Sequence, residues 1–144
     1  MANDPRVVVD TNVLISGLLG IKNSPSGKIL KAMRNQKFIL INSPLILKEI
    51  GEVINRKRIV KITKMSVEER KSFLEELIER GEVSAGNQLS KIIGRDVKDD
   101  KILACAYEAK ADYIVTGDED LLVLKEYEGT MITTPKEFIE ILSL

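Results

Sequence analysis

Histidine is absent from this sequence, and cysteine occurs once. The first absence excludes Ser-His-Asp and Cys-His nucleophilic catalysis, a histidine general base and any zinc site built on imidazole. The second excludes Cys-rich metal sites. Cys105, set between Ala104 and Ala106, reads as a small core residue rather than a reactive thiol. Neither G-x-G-x-x-G nor G-x-x-x-x-G-K-[ST] occurs, so phosphate-cradling loops of those kinds are missing. No apolar run approaches ~18 residues, so no membrane span is expected. No basic-then-apolar leader opens the chain, which makes a cytoplasmic location the expectation. If this is an enzyme, its chemistry falls mostly to carboxylates, with Lys, Ser and Thr in support.

The 144 residues suit one domain, and 44% hydrophobic with 31% charged residues is a globular balance. Net charge is zero, but it is unevenly spread. Residues 1–64 hold 12 Lys+Arg against 4 Asp+Glu, and residues 65–144 hold 10 against 18. The densest basic run is RKRIVKITK, residues 56–64. Such asymmetry fits a phosphate-binding surface beside an acidic, cation-binding one; it fits equally a mixed, solvated exterior.

Strand and helix patterns alternate along the chain. RVVVD (6–10) is a short apolar strand of the kind buried on both faces of a parallel sheet. Residues 24–36 read as a helix and 37–42 as a strand. A helix follows over 42–56, with Ser43 as N-cap and Pro44 at its first position. Residues 66–81 open on a Ser66/Glu69 capping box and stop at Gly81. Residues 99–110 form a helix apolar nearly all round, hence buried. A strand is expected over 112–118, a short helix over 118–127 and a strand over 130–134. A last helix is capped by Thr134, Pro135 and Glu137. This alternation predicts an α/β fold with a mainly parallel central sheet and helices on both faces.

In such sheets, sites form at the carboxyl ends of strands. Asp10 ends the first strand and Asp118 follows a later one, so two strands deliver aspartates to one rim. Asp10-Thr11-Asn12 would serve as a turn or as a site. Glu49 falls on the border of its helix's apolar face, roughly 40° from Val53. There it either snorkels to solvent or meets a cation. Asp96, Asp99 and Asp100 stand at the entrance of the 99–110 helix. Asp99 suits the N-cap, which leaves Asp100 at the first helical position, free to point off the helix end. Asp118 can cap its own helix, and Asp120 is then spare. Carboxylates converging on one rim repel unless a cation lies between them. All-oxygen ligation selects Mg²⁺ or Mn²⁺ over zinc, and sites of this kind hydrolyse phosphodiesters without histidine.

The stretches VVVDTNVLISGLL, SPLILKEIGEV, DVKDDKILACAYEAKADYIVTGDEDLL and ITTPKEFIEIL, in this order, resemble a PIN domain. They are most similar to the VapC-like toxins of toxin–antitoxin pairs. The resemblance implies a three-layer α/β/α fold and a Mg²⁺- or Mn²⁺-dependent ribonuclease. It carries the family's acids onto Asp10, Glu49, Asp100 and Asp118 as catalytic metal ligands, with Asp99 and Asp120 as further contributors. It makes Thr11, Asn12 and Thr116 the polar residues that orient the first and last acids. An antitoxin that covers the acidic rim and a homodimer are also implied, with RNA as substrate. Arg56, Lys57, Arg58, Lys61 and Lys64 are then candidates for backbone phosphate contacts.

Two rivals stand beside this reading. An aspartyl phosphatase needs a second acid two residues after its nucleophile, and position 12 is an amide. A non-catalytic RNA- or protein-binding module of the same fold would keep the acids without cutting anything.

Overall fold

A computed structural model describes residues 4–20, 23–85 and 97–144 of the chain, without the side chains of 97–100. Its centre is a six-stranded sheet in the order β3-β2-β1-β4-β6-β5. The strands are β1 (Arg6–Val9), β2 (Ile39–Asn42), β3 (Glu82–Val83), β4 (Tyr113–Val115), β5 (Glu126–Tyr127) and β6 (Thr130–Thr133). Every neighbouring pair is parallel except β5 with β6. Val7, Val8 and Val9 of central β1 are all within 1% of full burial. That is why the strand tolerates no alternation: both of its faces are covered.

Among the described residues the helices are α1 (Thr11–Leu18), α2 (Pro25–Arg34), α3 (Pro44–Ile54), α4 (Lys57–Thr63), α5 (Val67–Arg80), α6 (Val97–Ala109), α7 (Glu119–Leu122) and α8 (Pro135–Ile141). Parallel crossovers are right-handed. The chain steps from β1 to β2 through α1 and α2 on one face. It returns from β3 to β4 through α6 on the other, packed over β1, β2 and β4. The predicted three-layer α/β/α architecture is the one observed. Phe138 of α8 is fully buried and meets Phe38 and Tyr113 with ring centroids 5.4 and 5.5 Å apart.

Helix starts follow the local chemistry. Ser43 Oγ accepts from Ile46 N at the head of α3, and both predicted capping boxes form, Ser66 with Glu69 and Thr134 with Glu137. Two expectations fail. The segment 118–127 is helical only over Glu119–Leu122, and Glu126–Tyr127 instead pairs with β6. Lys125 takes a left-handed φ of 63°. Glu128 and Gly129 at φ 50° and 87° then form a two-residue turn with the twist a hairpin requires. The buried helix also begins earlier than expected, at Val97. Asp99 and Asp100 therefore sit inside its first turn rather than at its cap and first position. The positive end of the helix dipole favours acids there.

Candidate active site

The acid at the end of β1 is set by sheet register. Val9 pairs with Val115, and Asp10 N donates to Val115 O at 2.9 Å, so Asp10 and Thr116 leave the sheet side by side. Successive connections run one way from β1 and the other way from β4, which makes the gap between them the switch point of the sheet. Asp10 occupies the N-cap position of α1, yet its side chain makes no capping bond. The carboxylate, 2% exposed, takes a 2.8 Å hydrogen bond on Oδ2 from Thr116 Oγ1. A turn would have used the aspartate on the helix. Here it is turned to the site, with the positive end of α1 behind it.

Thr116, fully buried, serves two acids. Its hydroxyl donates to Asp10 and accepts from the Asp118 backbone N–H at 3.0 Å. Asp118 in turn caps α7 by accepting from Asp120 N at 2.9 Å. Thr11, 1% exposed at the head of α1, donates to Glu49 Oε1 at 2.6 Å. Since Thr11 follows Asp10 directly, two threonines tie acids from β1, α3 and the β4–α7 turn to one rim. The other oxygen of Glu49 accepts from Lys101 Nζ of α6 at 3.2 Å. Glu49 does lie at the border of its helix's buried face, and the partner found there is the Lys101 ammonium rather than the shared metal cation expected.

Asn12 stands exposed on α1, while Thr11 and Thr116 each hydrogen-bond a carboxylate. Asp120 is exposed beside Asp118. Asp96 and the side chains of Asp99 and Asp100 lie outside the described residues. Lys101 escaped the sequence reading, although the argument applied to Glu49 would have found it. A lysine that leads the buried run Ile102–Ala106 also needs an opposite charge.

Among the described residues, no three acids close up by themselves into a set that could hold a metal ion. The donor chemistry of Asp10, Glu49 and Asp118 does fit a hard cation: carboxylate oxygens only, oriented by hydroxyls. A basic helix packs against α3. Arg56, Lys57, Arg58, Lys61 and Lys64 are all exposed on and around α4, which follows the helix carrying Glu49 and is anchored by buried Ile59.

The PIN domain family profile matches residues 6–120. The chain belongs to the PIN domain family. A curated relative in Methanocaldococcus jannaschii, the uncharacterized protein MJ1680, is 35% identical over 161 aligned residues. That match covers 94% of this chain and 90% of the relative. Two solved structures share the PIN fold at low identity. One is VapBC2 from Rickettsia felis bound to a DNA fragment from its promoter, with TM-score 0.57, 16% identity, 90% of this chain and 98% of that one. The other is FitAB bound to the IR36 DNA fragment, with TM-score 0.55, 17% identity, 90% and 94%. Asp10, Glu49 and Asp118 all fall within the span of the PIN match.

Proposed function

We propose that this PIN domain protein is a Mg²⁺- or Mn²⁺-dependent endoribonuclease and the toxin of a toxin–antitoxin pair. The observation that carries the reading is the Asp10–Thr116–Asp118 link at the switch point of the sheet, with Thr11 holding Glu49 beside it. Asp10, Glu49, Asp100 and Asp118 would hold the metal, with Asp99 and Asp120 as further contributors. When bound, the metal supplies Lewis-acid stabilisation of the phosphoryl oxygens during hydrolysis. The protein's own part is orientation. Thr11 fixes Oε1 of Glu49 and Thr116 fixes Oδ2 of Asp10, which holds both carboxylates in one orientation at the rim. Asn12 is positioned to act at the exposed lip. The basic residues on and around α4 would track the RNA backbone and make binding salt-sensitive.

The structural neighbours are the VapBC2 and FitAB complexes, which supports an antitoxin partner for this chain; that the antitoxin covers the acidic rim and that the chain forms a homodimer are further parts of the proposal. No helix among the described residues is long and apolar enough to cross a membrane, and a cytoplasmic site of action is part of the proposal. The test is cleavage of an RNA panel with Mg²⁺ or Mn²⁺, wild type beside Asp10→Asn. Cleavage should need the metal and vanish in the variant while its circular dichroism stays native. Wild-type cleavage that persists in excess EDTA would sink the metal reading. An Asp10→Asn protein with the full biological effect would mean that the domain acts by binding.

A further inference from the structure

Lys101 and Glu49 are both largely withdrawn from solvent, at 17% and 16% side-chain exposure, and they belong to helices on different parts of the chain. Glu49 is held by two contacts of different character. The Thr11 hydroxyl is 2.6 Å from Oε1, on a β-branched side chain fixed in a buried helix turn. The Lys101 ammonium is 3.2 Å from Oε2, longer than a strong charge-assisted bond, and it ends a flexible four-carbon stem. One contact is built to stay and the other to release. The ammonium also occupies the Glu49 oxygen that Thr11 leaves open.

Resting on the metal-dependent reading above, we propose that Lys101 is a resident stand-in cation. It neutralises Glu49 and keeps that carboxylate aimed at the rim while no metal is bound. It yields Oε2 when a divalent cation arrives. Lys101 is thus a positioning residue, not a catalytic one. Because an ammonium and a metal compete for one oxygen, the lysine also weakens metal binding. Coupling between neighbouring sites is typically on the order of tenfold.

The experiment is calorimetric titration of the full chain with MnCl₂, without RNA, for wild type, Lys101→Met and Lys101→Arg. Lys101→Met should bind Mn²⁺ about tenfold more tightly, while Lys101→Arg, which keeps a cation, stays near wild type. A purely structural ion pair would lower the thermal stability of Lys101→Met and leave its Mn²⁺ affinity unchanged, which would overturn the proposal. Binding of Mn²⁺ by neither protein would instead refute the metal reading itself, and the stand-in role with it. The wild-type chain gives a second readout should Lys101→Met not fold. Reductive methylation of Lys101, followed by mass spectrometry, should quicken several-fold relative to the other lysines when Mg²⁺ is added. No change in that relative rate would also overturn the proposal.

Discussion

Replacing Thr116 by valine keeps the shape of the side chain and removes one hydroxyl. That hydroxyl donates to the buried Asp10 carboxylate and accepts from the Asp118 N–H. Hydrogen bonds to charged groups contribute about 1.5–3 kcal/mol, and an ordinary one about 1 kcal/mol. Thr116 and Asp10 are both buried, so water does not readily replace the first of these bonds, whereas the Asp118 N–H is only partly buried. Thr116→Val should therefore cost roughly 2–4 kcal/mol in the absence of divalent cations. For a chain of this length that is a fall in Tm on the order of 10 °C. Urea unfolding followed by far-ultraviolet circular dichroism measures it, and Thr116→Ser should recover most of the loss. The cause can be isolated by a double-mutant cycle. In an Asp10→Asn background the valine penalty should shrink by about 1 kcal/mol or more, because the charge that made the bond strong is gone. A single mutant within about 0.5 kcal/mol of wild type would refute the reasoning, since this is the range of substitutions that touch nothing important.

Two further outcomes follow from groups outside the site. Glu76 of α5 is raised by burial but lowered more by Arg34 and Arg80, which hydrogen-bond it at 2.9–3.0 Å, so its net pKa lies below the ordinary 4.5. Its contribution to stability is therefore present above 4.5 and is lost as pH falls through the lowered folded value. Thermal melts across the acid range should show Glu76→Gln less stable near neutrality, by up to about 1 kcal/mol, with a shallower decline on acidification. Cys105 is pushed up to about 11, chiefly by burial, with a smaller opposing bond from Ser84. Iodoacetamide at pH 8 should leave the native thiol unmodified and label it at the rate of global unfolding; fast labelling would show a local opening of α6.

Where sequence spoke plainly, short-range chemistry was the reason. Ser43-Pro44, Ser66 with Glu69 and Thr134 with Glu137 fix helix starts through bonds that span three residues, and each was readable. Asp10 and Asp118 were readable as rim acids because each ends or follows an apolar strand. The failures needed information from farther away. The 118–127 segment carries a helical composition, but β6 offers Glu126 and Tyr127 a free sheet edge, and the ladder wins. The helix α1 was not legible in the sequence, because Asp10, Thr11 and Asn12 read only as a turn or a site. The partnership of Glu49 with Lys101 spans 52 residues, and only packing of α3 against α6 creates it.

The sheet ends in two very short strands, β3 and β5, of two residues each. A long bare edge would offer unpaired N–H and C=O groups as a template for other chains. Here each margin presents barely one bond's length and an exposed glutamate, Glu82 on one side and Glu126 on the other. Glu82 is held by Arg6 at 3.0 Å, so a charged pair rather than an apolar surface marks that margin. A slow-pairing parallel sheet spends time incompletely formed during folding. Blunted margins leave little template for edge-to-edge pairing during that time.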